Sequence, residues 1–175
     1  IFKPPENAET ENAKIPETLE ALENLRKDGK IRAYGVSNET PWGVMRYLSF
    51  AEKNGCEKVA SIQNPYNLLN RTFESGLAEI SYRESVGLMA YSPLAFGILT
   101  GKYLDGKKPA RARLTLYSRF QRYQTQNAVK ATKEYVRLAG EHALDPSQMA
   151  LAFARTRPFM ASVLLGATSV NQLET

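Results

Sequence analysis

Three short apolar runs in this 175-residue chain end in side chains that can grip a polar ligand. Ile31–Val36 runs into Ser37-Asn38, Val59–Ile62 into Gln63-Asn64, and Leu88–Tyr91 into Ser92. Hydroxyls, carboxamides and an aromatic ring at the ends of successive parallel strands are how the C-terminal rim of a β/α barrel builds a binding site. The third run is the most telling. GLMAYSPLAFGILTGKY (Gly87–Tyr103) passes from a strand through a Ser-Pro-Leu turn into a glycine-punctuated loop that reaches Lys102.

Other reactive residue types are scarce. The single histidine, His142, falls at the end of a helical pattern, where a charge-favourable surface role is the default. No cluster has metal-ligand spacing, so no metal site is expected. The single cysteine, Cys56, excludes an internal disulfide and fits a reducing compartment, the cytoplasm. No apolar run approaches the roughly 18 residues of a membrane span. The net charge of +5 is unevenly spread: residues 101–137 carry ten bases against Asp105 and Glu134. Such a run reads as a solvated face, or as a site for a phosphate-bearing cofactor or a nucleic acid.

The elements that position these groups follow from caps and periodicity. Residues 1–15 are polar with prolines and read as a loop or tail. Pro16 then sits at a first helical position, with Leu19, Leu22 and Leu25 inward and Gly29 as the stop. Thr40-Pro41 opens a second helix with Val44, Met45, Leu48 and Ala51 on its apolar side, closed by Gly55. A helix around Ser75–Arg83 precedes the third strand. The basic loop 101–126 is too long for an ordinary connection, so it is functional or partly helical. Gln126–His142 and Asp145–Thr156 read as helices, the latter with Asp145 and Gln148 placed for a capping box. Ser162–Leu165 reads as a fourth strand, and Ser169 with Gln172 repeats the capping pattern. Helix–strand alternation with short turns argues for a parallel sheet covered on both faces. Four such strands also fit a small open sheet of doubly wound type, but no G-x-G-x-x-G follows any of them.

Four segments together resemble one family. ETLEALENLRKDGKIRAYGVSN (17–38), QNPYNLLNRTF (63–73), YSPLAFGILTGKY (91–103) and VLLGATSVNQLET (163–175) are similar, in order and spacing, to the aldo-keto reductases, NADPH-dependent (β/α)8-barrel oxidoreductases. VSNETPWGVMRYL and QNPYNLLNRTFE look closest to the bacterial Tas-type reductases. The resemblance implies an α/β fold: the C-terminal half of a (β/α)8 TIM barrel. Residues 16–175 would be strands five to eight with their helices, truncated within the last helix. Residues 1–15 would be a loop or tail after the missing N-terminal half.

The resemblance also assigns roles. Ser37, Asn38 and Gln63 would bind the nicotinamide carboxamide, whose donors and acceptor suit hydroxyl and amide side chains. Tyr91 would stack on the nicotinamide ring. Ser92, Leu94, Gly97, Thr100 and Lys102 would form the pyrophosphate loop, with Gly97 permitting close backbone approach. Arg113 would face the adenosine 2′-phosphate, where a guanidinium pairs well, and Thr168 and Gln172 would clasp the 2′-phosphate and adenine region. Thr175 stands where the family carries an acid. Tyr66, Trp42 and Phe96 would line the substrate pocket. The family's catalytic Asp, Tyr, Lys and His come from the first four strands and have no counterpart here, so no catalytic residue is expected in this segment.

The implied cofactor is NADP(H), and the parent reaction is reduction of a small aldehyde or ketone to an alcohol. The implied partners are that carbonyl substrate and the missing N-terminal half of the barrel. The alternative on the same scaffold is a non-catalytic, cofactor-sensing regulatory subunit. Nucleic-acid binding is disfavoured: Tyr117, Phe120 and Tyr123 interleave with arginines, but no nucleic-acid fold accompanies them.

Overall fold

The computed structural model describes residues 8–174 of the chain. The first element, α1 (Ala8–Lys27), begins well before the proline expected to start it and carries Pro16 inside. The tail expected over residues 1–15 is therefore helical from Ala8, and residues 1–7 lie outside the described residues. Proline removes one backbone donor, yet flanking good helix formers such as Ala8, Ala13, Glu17 and Leu19 hold the helical path on both sides of it.

Four strands alternate with helices. After α1 come β1 (Val36–Ser37), α2 (Pro41–Asn54), β2 (Ser61–Pro65), α3 (Leu77–Glu84) and β3 (Gly87–Tyr91). Then follow α4 (Arg113–Leu116), α5 (Gln126–Glu141), α6 (Pro146–Arg155), β4 (Met160–Val163) and α7 (Asn171–Glu174). Every strand pair is parallel and the order is β1-β2-β3-β4. The strand read over Ile31–Val36 shrinks to two residues, although Ala60 N still donates to Tyr34 O at 2.9 Å below it.

Capping chemistry explains where the helices start and stop. Thr40 Oγ1 accepts from Gly43 N at 3.1 Å, Pro41 supplies the first turn, and Gly55 ends α2 in the left-handed region (φ 63°). Asp145 Oδ1 accepts from Ser147 N and Gln148 N at 2.7 and 3.0 Å. The long basic loop is partly helical: Leu104–Gly106 forms a 3₁₀ turn and Arg113–Leu116 a short α-helix.

The register sorts the sheet into two unlike faces. Val36, Ile62 and Leu88 align on one face, where Ile62 and Leu88 are fully buried. Ser37, Gln63 and Met89 align on the other, which is only half-buried or exposed. The main core lies on the first face. Leu19, Val44, Leu48, Val59, Ile62, Phe73, Val86 and Leu88 pack there, with Tyr66 between Phe153 (5.7 Å) and Phe159 (5.4 Å). A second cluster of Ala95, Ile98, Leu99, Tyr123 and Ala150 underpins the loop after β3.

Two expected apolar faces are shifted. In α1 the residue buried one turn after Leu19 is Glu23, whereas Leu25 is exposed, because 3.6-residue periodicity outruns a three-residue spacing. In α2 Met45 is exposed while Val44, Leu48 and Ala51 are buried. Glu23 is held by Arg26, by the Tyr34 hydroxyl at 3.2 Å and by Glu57 N at 3.3 Å, so a buried carboxylate ties α1 to the chain on either side of α2.

Candidate functional site

The first three strand ends converge. Ser37 Oγ donates to the Gln63 carbonyl at 3.0 Å and Asn38 N donates to the same oxygen at 3.0 Å. Gln63 thus anchors its neighbour through its backbone, leaving its side chain on the half-buried face with Ser37 and Met89. Asn38 adopts φ 58°, a left-handed conformation that Asn tolerates better than most residues. That turn brings Asn38 Oδ1 to the Tyr91 hydroxyl, which donates to it at 2.7 Å.

The loop after β3 is a strained cradle. Ser92, Ala95 and Phe96 all have positive φ (54°, 49° and 62°), followed by Gly97 at 89°. Left-handed non-glycine residues each cost roughly 1–2 kcal/mol, so the surrounding packing must hold them. Ala95 is fully buried, Leu94 and Phe96 pack on the second core cluster, and Asn67 Nδ2 donates to the Ser92 carbonyl at 2.9 Å. Asn67 is itself fully buried and reaches the Tyr123 hydroxyl at 3.2 Å.

Gly97, at φ 89°, also makes room for a neighbouring side chain. A Cβ there would lie 2.9 Å from Lys102 Cε and 3.0 Å from Lys102 Nζ. The glycine makes room for the lysine to fold back over the loop, where its amine sits 5.3 Å from the Tyr103 ring centre. Thr100 Oγ1 donates to the Gly97 carbonyl at 2.9 Å and accepts from Lys102 N at 3.3 Å, closing the turn. Gly97, Thr100 and Lys102 therefore form one unit.

The remaining expected residues lie in two further groups. Arg113 stacks on Phe96 (5.9 Å) and Phe120 (5.7 Å), in an aromatic cluster completed by Tyr123. Thr168 and Gln172 bond each other: Gln172 Oε1 accepts from Thr168 N (2.9 Å) and Thr168 Oγ1 (3.2 Å). Gln172 thus reaches back to Thr168, one residue before the cap expected at Ser169. Thr175 lies outside the described residues.

A cavity of about 400 Å³ opens beside the strand ends. Asn38 and Tyr91 border it together with Asn64, Asn70, Ser75 and Arg122, while Gln63 does not. The three aromatic residues expected to line a substrate pocket do not border this cavity. Tyr66 is fully buried and donates to Glu74 Oε1 at 2.6 Å, Trp42 is 58% exposed beneath Arg46, and Phe96 is packed against Phe120 and Tyr123.

The family model for the aldo/keto reductase family matches residues 4–175. The chain belongs to the aldo/keto reductase family. It is 59% identical over 159 residues to Protein tas of Escherichia coli, covering 91% of this chain and 46% of that protein. It is 39% identical over 180 residues to an aldo-keto reductase of Babesia bovis, covering 99% of this chain and 63% of that protein. Among solved structures it resembles a glycerol dehydrogenase from Gluconobacter oxydans, with TM-score 0.72 and 29% identity, over 91% of this chain and 47% of that one. The chain thus spans about half the length of several relatives it matches.

Within this family member, sequence reading named Asn64 only as the neighbour of Gln63 and gave Arg122 no role. Asn64 adjoins Gln63 but faces the opposite side of the sheet, a difference that only strand register reveals. Arg122 was one base among ten in its region, with no local mark to set it apart. Among the described residues there is no cluster of three or more His, Cys, Asp or Glu side chains suited to a metal, and no helix long and apolar enough to cross a membrane.

Proposed function

We propose that this aldo/keto reductase chain is the NADP(H)-binding portion of a carbonyl reductase. In this reading the cofactor runs along the C-terminal ends of β1 to β4, and these are strands five to eight of an eight-stranded barrel. The observation that carries it is the junction of Asn38 with Tyr91 at 2.7 Å across the end of β2, beside Ser37 and Gln63.

The residues present suit such a cofactor. Ser37, Asn38 and Gln63 offer hydroxyl and amide groups to orient a carboxamide. Tyr91 sets a half-exposed ring beside them to fix one face of a planar heterocycle. Ser92, Leu94, Gly97 and Thr100 shape a loop for a pyrophosphate, and Lys102 places a cation over it. Among the described residues that amine pairs with no carboxylate. Arg113, Thr168 and Gln172 serve the 2′-phosphate and adenine end. Bound there, NADP(H) supplies hydride to an aldehyde or ketone.

The complement of the barrel comes from chain outside this segment and brings the catalytic Asp, Tyr, Lys and His. Two features support this. Among the described residues β1 and β4 are sheet edges with one neighbour each, and the face bearing Ser37, Gln63 and Met89 is incompletely covered. Closing a barrel removes both edges. The free thiol of Cys56 fits work in the cytoplasm. The rings of the basic loop are engaged with Phe96 and with arginines of the same loop, which favours a folded cofactor cover over a nucleic-acid surface.

Titrating the full chain with NADPH and NADH, read by cofactor fluorescence, tests the binding half of the proposal. Tighter binding of NADPH is expected. Failure of both cofactors to bind removes the proposal. Carbonyl-reduction assays on the whole parent protein test the rest: firm cofactor binding without turnover of any aldehyde or ketone indicates cofactor sensing instead.

A further inference from the structure

The cavity beside the strand ends holds two groups that the cofactor reading leaves unused. Asn64 is 8% exposed and donates through Nδ2 to the Glu39 carbonyl at 3.1 Å. Its Oδ1 is buried, on a residue that borders the cavity, and has no hydrogen-bond partner. Because Nδ2 serves a carbonyl, turning the amide round loses that bond, so the orphan group is an acceptor. A buried acceptor without a partner is destabilising, and it calls for a donor.

Arg122 borders the same cavity. Its guanidinium lies against the Tyr91 and Tyr123 hydroxyls, which hold its pKa above the usual arginine value. Two carboxylates lie nearby, and Glu39 itself borders the cavity. Glu39 Oε2 fills the space a Cβ at Gly43 would take, in the first turn of α2. Glu74 is occupied by Arg71 and the Tyr66 hydroxyl. Asn70 uses its Oδ1 for Thr72 N and Thr72 Oγ1, which directs its remaining capacity to donation. The residues bordering the cavity therefore include a cation in Arg122, an amide donor in Asn70 and, in Asn64, a buried acceptor without a partner.

We propose that this cavity is a subsite for a small hydroxylated anion: its carboxylate or phosphate oxygens pair with Arg122, and its neighbouring hydroxyl donates to Asn64 Oδ1. The inference does not depend on the carbonyl-reductase reading, because Asn64 lies on the face of β2 opposite Gln63.

The full chain is titrated with glycolate, acetate, ethylene glycol and glycerol phosphate, with and without NADP⁺. Calorimetry gives the affinities, and the Asn64 side-chain amide resonance reports the site. Glycolate is expected to bind more tightly than acetate and to shift that resonance, with ethylene glycol bound far more weakly. Arg122→Gln, at an exposed loop position, should keep the fold by circular dichroism and weaken the anions about tenfold. Asn64→Leu should erase the gap between glycolate and acetate. Preference for glycerol phosphate over glycolate assigns the anion to a phosphate ester, and the reverse assigns it to a carboxylate. Equal binding of glycolate, acetate and ethylene glycol, or anion affinities untouched by Arg122→Gln, overturns the subsite. NADP⁺ affinity in the same samples separates the two readings. Anions that bind where NADP⁺ does not sink the cofactor reading alone, and NADP⁺ that binds where anions do not sinks the subsite alone.

Discussion

The Tyr91 hydroxyl donates to Asn38 Oδ1 at 2.7 Å, bridging the ends of β3 and β1 over the intervening β2. The bond orients the Asn38 amide while leaving its Nδ2 for a ligand. Tyr91→Phe keeps the ring and removes that constraint. Stability should change by no more than about 0.5 kcal/mol, since Tyr91 is half-exposed. NADPH affinity should fall roughly three- to tenfold, the worth of about one hydrogen bond. Fluorescence titration beside a urea melt checks both, and an unchanged affinity counts against the carboxamide role of Asn38.

In the proposed function, Lys102 and Arg113 are expected to act differently on the two cofactors. Lys102 folds over Gly97, in the loop assigned to the pyrophosphate that NADPH and NADH share. Lys102→Met should weaken both about tenfold and flatten the salt dependence of binding. Arg113→Gln should weaken NADPH alone, because only that cofactor carries the 2′-phosphate. A matched pair of titrations at low and high salt reads the difference.

Gly87 and Ala161 lock the register of β3 against β4. The pairing runs Leu88 with Met160 and then Met89 with Ser162, so Ala161 is the extra residue of a bulge. Its methyl lies 2.6 Å from where a Cβ at Gly87 would stand. Gly87→Val should destabilise by about 1–3 kcal/mol through overpacking, seen as a lower urea midpoint. The double variant Gly87→Ala with Ala161→Gly should recover part of the loss.

Glu23 gives the fold an acid limit. The Arg26 guanidinium, then the Glu57 amide and the Tyr34 hydroxyl, hold its carboxyl down from 4.5 to about 2, against the opposing effect of burial. A carboxyl whose folded pKa is depressed contributes stability above its unfolded value and loses that contribution as pH falls toward the folded one. The denaturation midpoint should therefore hold steady down to about pH 4.5 and decline toward pH 2. Glu23→Gln should be less stable at neutral pH and show a shallower decline.

Local signals were readable because they act over a few residues. Thr40 and Asp145 cap their helices through amides two or three positions on, and Gly55 ends α2 with a backbone angle that glycine reaches freely. Alternation of such helices with short apolar strands was enough to place Ser37 and Tyr91 at parallel strand ends, whereas Gln63 proves to lie inside β2. The start of α1 was misread because Pro16 is an ambiguous mark, favoured in a first turn yet tolerated within a helix whose other residues are good formers.

Patterns of caps, periods and turns thus establish an α/β chain with polar strand tips on one edge, and the resemblance of four segments adds the family. Packing alone chose what those tips and loops touch. Glu23 meets Glu57 across 34 positions, Asn67 meets Tyr123 across 56, and Asn38 meets Tyr91 across 53. Lys102 could equally have reached solvent, and Arg122 any neighbouring surface. Helix propensity and strand alternation are properties of neighbours along the backbone, whereas a cavity bordered by both Asn64 and Arg122 exists only once distant segments have closed around it.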